Sequence, residues 1–119
     1  LAEPFLFKIN EEYLGDLYES YHSQIKDPID FITISEKLKE DDYNCIDEFF
    51  EDSYRVFINC KKFNAKNSEY SLIANQLENY FRILIKPILS MQENINNHKI
   101  EMDLKVQFFF IIFIFNFFS

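Results

Sequence analysis

The chain has 119 residues, enough for one domain with a single modest core. Hydrophobic residues make up 48% of it, while one Gly and three Pro are too few turn formers for a many-stranded sandwich or barrel, so an all-α fold follows. A net charge of -8 argues against direct binding to a nucleic-acid backbone, which needs clustered Lys and Arg; the acidity either draws a basic partner or simply keeps the domain soluble.

Residues 3–28 show no sustained hydrophobic period between Glu3-Pro4-Phe5 and Lys26-Asp27-Pro28, which predicts a long, mostly irregular loop with at most one helical turn. Loops of that length inside a compact domain are usually functional. Asp30 is a plausible N-cap for a helix that places Phe31, Ile34, Ser35 and Leu38 on one face. Glu40-Asp41-Asp42-Tyr43 interrupts it. Asn44 followed by Asp47 resembles a variant capping box, and Ile46, Phe49, Phe50, Ser53, Phe57, Cys60 and Asn64 then step at helical spacing. After a short turn at Ala65-Lys66-Asn67, Ser68 can cap a further helix striped by Ile73, Ala74, Leu77, Phe81, Leu84 and Ile88. Pro87 is expected to kink or end it.

From Asn94 the character changes, and 95–119 reads as a polar linker plus a Phe/Ile-rich tail, outside a domain spanning 1–94. A helix over Val106–Ser119 would reach only about 21 Å, short of a hydrocarbon core of roughly 30 Å, and it would be apolar all round. No membrane partner is expected; a truncated span and an artefact of gene prediction both fit the tail.

Cys45 and Cys60 fall on one expected helix, roughly 22 Å apart at 1.5 Å rise, so they cannot pair there. Reduced thiols and an intracellular location follow, in keeping with the absence of an Asn-x-Ser/Thr sequon. No leader peptide is recognisable, and a start at Leu1 leaves upstream sequence open. Enzyme signatures are poor. Glu19-x-x-His22 has di-iron spacing but no second copy and falls in the expected loop, His98 has no matched partner, and no Gly-rich phosphate loop exists. No catalytic residue, cofactor or metal site is expected.

A run of residues carries a more specific signal: Pro4-Phe5, Ile9, Tyr21, Ile25-Lys26-x-Pro28-Ile29-Asp30, Thr33-Ile34, Lys37-Leu38, Tyr43, Phe49, Phe57-x-Asn59-Cys60, Phe63-Asn64, Ala74, Leu77 and Phe81. In this order and spacing the stretch of roughly residues 3–85 resembles the bromodomain family. The resemblance implies a left-handed four-helix bundle whose inter-helix loops form a pocket for acetylated lysine. It maps the family's anchoring asparagine onto Asn64 and its water-holding loop tyrosine onto Tyr21. The gatekeeper falls on Tyr70, and pocket-wall positions fall on Pro4, Phe5, Ile9 and Phe63. The implied partner is an acetylated histone tail, and the implied location is nuclear.

The chemistry is reasonable on its own terms. Acetylation leaves lysine a neutral amide with one strong acceptor. An apolar pocket buries its stem and methyl, penalises an ammonium that loses its water, and leaves Asn64 to donate to the acetyl oxygen.

Departures from the family are equally legible. Glu3 replaces the shelf tryptophan, Lys8 stands where proline is common, Phe63 lacks the usual hydroxyl, and only Leu1 and Ala2 precede Glu3 where the family has its first helix. Without that helix, apolar surface is expected to remain exposed on the second and third matched helices. Two other readings follow: a helical interaction scaffold that keeps the fold but has lost acetyl-lysine binding, and a helical domain tethered to a membrane by its tail.

Overall fold

The computed structural model describes Phe5 and residues 8–94, with side chains to residue 87. Among these residues all regular structure is helical: α1 (Glu11–Leu14), a 3-10 turn (Gly15–Leu17), α2 (Tyr18–Gln24), α3 (Phe31–Lys39), α4 (Ile46–Phe63) and α5 (Glu69–Asn94). Phe31, Ile34 and Leu38 are buried from α3, and Ile46, Phe49, Phe50, Val56 and Phe57 from α4. The helical periods at 31–38 and 46–64 therefore mark core-facing stripes, as an all-α domain requires.

Phe81 on α5 is fully buried and ringed by α4 aromatics: Tyr54 at 5.3 Å, Phe57 at 6.0 Å, Phe49 at 6.1 Å and Phe50 at 6.5 Å between ring centroids. Tilted and edge-on rings at such separations add to the burial term, about 1.5–3 kcal/mol for a fully buried phenylalanine. Phe57 also meets Phe31 of α3 at 5.6 Å, so one α4 side chain joins both neighbouring helices. On the outer edge, Glu78 of α5 accepts from Lys61 of α4 and from Arg82, each at 3.1 Å.

Helix starts follow cap chemistry, with two revisions. Asp30 caps α3 by accepting from the Thr33 amide, and Ser68 Oγ accepts from the Ser71 amide at the head of α5. At α4 the N-cap is Cys45, which makes no side-chain cap bond; Glu48, rather than Asp47, reaches back to the Asn44 amide at 3.0 Å. α5 runs through Pro87 to Asn94, because burial of Ile73, Ala74, Leu77, Phe81 and Ile85 has already fixed its axis.

The larger revision concerns 8–30. Where irregular chain was expected, α1, the 3-10 turn and α2 follow one another. Asn10 caps α1 by accepting from the Tyr13 amide, and Gly15, the only glycine, closes it at φ 55°, ψ -122°. Asn59 on α4 donates its side-chain amide to the Asp27 carbonyl at 2.9 Å, tying the end of this connection to the core. Ile58 on α4 and Leu72 and Ile83 on α5 are exposed. Pro4, Glu3 and the 95–119 tail lie outside the described residues. Among the described residues no helix is long and apolar enough to cross a membrane.

Candidate functional site

The 8–30 connection, the end of α4 and the start of α5 enclose a cleft of about 290 Å³. Its lining includes Phe5, Ile9, Tyr21, Phe63, Asn64 and Tyr70, so six of the seven residues expected at the site share one cavity. The seventh, Pro4, lies outside the described residues. The remaining wall comes from Tyr13, Leu14, Leu17, Ile29, Asp30, Val56 and Cys60. Sequence reading misses Tyr13, Leu14 and Leu17 as site residues because α1 and the 3-10 turn show no apolar stripe. Leu14 and Leu17, three residues apart behind a capping Asn10, were the available signal.

Asn64 ends α4 in an extended conformation at φ -99°, ψ 152°. Its backbone amide (3.0 Å) and its side-chain Nδ2 (2.9 Å) both donate to the Cys60 carbonyl, and Nδ2 also approaches Cys60 Sγ at 3.6 Å. Thus Asn64 is a helix cap and a cleft residue at once. An amide nitrogen carries two hydrogens; the carbonyl takes one, and a thiol sulfur is a weak acceptor for the other. Burial pushes the Cys60 thiol up to about 11, against the opposing pull of Asn64 and Lys61. Protonated at neutral pH, it donates weakly to the Tyr70 carbonyl at 3.5 Å.

Tyr21, on α2, is 5% exposed and stacks edge-on against Phe63 at 4.9 Å, joining the connection to the end of α4. Its hydroxyl is pushed up to about 12, first by burial and then by the Cys60 and Asp30 charges, so it remains a neutral donor and acceptor. Tyr70 at the head of α5 is 46% exposed and stands at the rim. Glu19 and His22 lie on helix α2 rather than on a loop, with His22 edge-on to Tyr18 at 4.4 Å. Among the described residues no group of three or more His, Cys, Asp or Glu is placed to hold a metal ion.

Asp30 is the one carboxylate in the lining. Its Oδ1 accepts from the Thr33 amide at 2.6 Å and its Oδ2 from the Ile9 amide at 3.0 Å. Both oxygens are therefore occupied, and the charge rests against the N-terminus of α3, where the helix dipole favours it. Lys8 pairs with Glu36 of α3 at 3.1 Å, a half-exposed tether where the family often has proline.

An all-helical domain with an apolar cleft walled by an inter-helix connection, and with an asparagine at the end of α4, is the arrangement that the sequence resemblance implies. The bromodomain sequence model matches residues 1–76. The chain belongs to the bromodomain family. Among its relatives, a histone acetyltransferase GCN5 from Debaryomyces hansenii is 36% identical over 85 residues, covering 71% of this chain and 18% of that protein. A bromodomain-containing protein of Dictyostelium discoideum is 35% identical over 105 residues, 84% of this chain and 6% of its own length. The nucleosome-remodeling factor subunit NURF301 of Drosophila melanogaster is 31% identical over 94 residues, 79% of this chain and 3% of its own length. This bromodomain thus spans less than a fifth of each of these relatives. No solved structure gives a significant match.

Proposed function

We propose that this bromodomain binds an acetylated lysine side chain on a basic tail such as a histone's, in the nucleus, and performs no catalysis. The observation that supports the reading is the placement of Asn64 and Tyr21 with the apolar Phe5, Ile9 and Phe63 around one cleft. The acetyl oxygen, a stronger acceptor than a thiol, takes the Asn64 N–H directed at Cys60 Sγ. Tyr21 holds a bridging water. An unmodified ammonium would give up its hydration for walls that are mostly apolar. Chromatin is the setting named by the relatives, a histone acetyltransferase and a nucleosome-remodeling subunit. The activity in the first name is not carried over, since the chain covers 18% of that protein.

The test is titration of acetylated and unmodified basic peptides against wild type and Asn64→Ala. Leaving the acetyl oxygen unpaired costs about 1–3 kcal/mol, a loss of roughly 10- to 100-fold. Undiminished affinity in the variant sinks the assignment. A second reading, an interaction scaffold of the same fold without acetyl-lysine binding, draws on the existing bond from Asn64 to the Cys60 carbonyl. It requires that wild type ignore acetylation.

A further inference from the structure

Asp30 divides its carboxylate between two segments, the chain leading into α1 and the head of α3. One oxygen caps α3; the other, 21 residues away in sequence, holds the Ile9 amide. Ile9 lines the cleft, and Asn10 beside it caps α1, the helix that presents Tyr13 and Leu14 to the same cavity. Asp30 is only 8% exposed, so this bridge is largely sheltered from competing water. The neighbouring tether, Lys8 to Glu36, is about half exposed on both sides and is correspondingly weak.

We propose that Asp30 is a positioning residue for ligand recognition: its Oδ2–Ile9 bond sets the cleft wall and the origin of α1, over and above its capping of α3. The role rests on the acetyl-lysine reading of the same cleft. Capping needs one oxygen, and a serine supplies it; a bridge to a second backbone amide needs the second oxygen of the carboxylate. Asp30→Ser therefore separates the two duties. Asparagine separates them differently, since its amide group sets a donor against one of the two backbone donors.

The experiment uses the full chain, with a short basic peptide carrying one acetyllysine and its unacetylated counterpart as probes. Amide hydrogen exchange is read at Ile9 and Thr33. For Asp30→Ser, exchange at Ile9 should rise at least tenfold while Thr33 stays protected, and affinity for the acetylated peptide should fall about 5- to 20-fold. Lys8→Ala should change affinity less than twofold. Wild-type affinity in Asp30→Ser, or an Ile9 amide as protected as before, overturns the positioning role. If Asp30→Ser does not fold, Asp30→Asn decides: affinity for the acetylated peptide should follow protection of the Ile9 amide, falling where that amide is freed and holding where it is kept, and affinity that does not follow it overturns the role. A wild-type chain indifferent to acetylation overturns the function itself and this role with it, a result distinct from wild-type binding that survives loss of the bridge.

Discussion

Tyr43 and Asp52 meet at 2.7 Å, the buried tyrosine hydroxyl donating to Asp52 Oδ2. The same oxygen accepts from Lys37 Nζ at 2.8 Å, and Oδ1 accepts from Arg55 at 2.9 Å. Lys37 also lies 4.4 Å from the centroid of the Tyr43 ring. One buried carboxylate thus fastens α3, the α3–α4 connection and α4 together. Burial alone would lift its pKa, but the Lys37 and Tyr43 hydrogen bonds and the Lys37 and Arg55 charges outweigh it and hold the carboxyl below its usual range.

Removing that acceptor leaves the buried Tyr43 hydroxyl without its partner and takes one partner each from Lys37 and Arg55, the latter keeping Glu51. Asp52→Ala should therefore cost about 3 kcal/mol in urea unfolding at neutral pH. Because the folded pKa is lowered, the carboxylate's contribution is present above an ordinary value of about 3.9 and is lost as pH falls through the depressed one. The gap between variant and wild type should narrow in acid. Tyr43 behaves oppositely: burial first, then the Asp52 bond, raises its pKa, so its contribution holds below about 10 and fades as pH climbs through the raised value. A gap that is constant from pH 2 to 7 would contradict a role for the ionised carboxylate.

Gly15→Ala should injure the cleft more than the core. At φ 55° a Cβ is strained, although nothing lies within 4 Å of where it would sit, so the cost is conformational and about 1–2 kcal/mol. Opening of the α1 to 3-10 junction relieves it locally and displaces Leu14 and Leu17 from the wall. Peptide affinity should drop several-fold while the global unfolding midpoint shifts little. A lowered midpoint with unaltered affinity would place the strain elsewhere.

What was legible in the sequence divides along the same line. α3, α4 and α5 each carry several turns of apolar period, and Phe31, Phe57 and Phe81 announced themselves by spacing alone. α1 and α2 did not, because four and seven residues bury only Tyr21 between them and so show no stripe; their cues were a cap at Asn10 and a glycine at 15. Six of the seven residues named by resemblance line one cavity, whereas Tyr13, Leu14, Leu17 and Cys60 became cleft residues only through tertiary placement. Asp30 was legible as a cap but not as a bridge, since a partner 21 residues away leaves no local trace.

Binding should weaken with salt. The segment that walls the cleft carries exposed Glu11, Glu12, Asp16 and Glu19, on a chain of net charge -8. Under the proposed reading a basic peptide is drawn by these carboxylates, an attraction screened over a Debye length of about 10 Å at 0.1 M. Raising ionic strength from 50 to 500 mM should lower affinity several-fold, mainly by slowing association. Salt-independent binding would confine recognition to the acetyl-lysine itself.

Tyr21→Phe isolates the hydroxyl from the ring. The ring packs edge-on to Phe63 at 4.9 Å and survives the change, so stability should stay within about 0.5 kcal/mol. Under the proposed acetyl-lysine reading the change removes the bridging water, at about 1 kcal/mol or roughly a 5-fold fall in affinity. Since the Tyr21 hydroxyl is pushed up to about 12, it should stay protonated from pH 5 to 9, and the wild-type to variant ratio should be flat across that range. In the folded chain its raised pKa adds stability that is present below about 10 and lost as pH rises toward 12. An affinity ratio that changed between pH 6 and 8 would mean that some other group is titrating in the cleft, and a neutral phenol would no longer describe what Tyr21 offers the ligand.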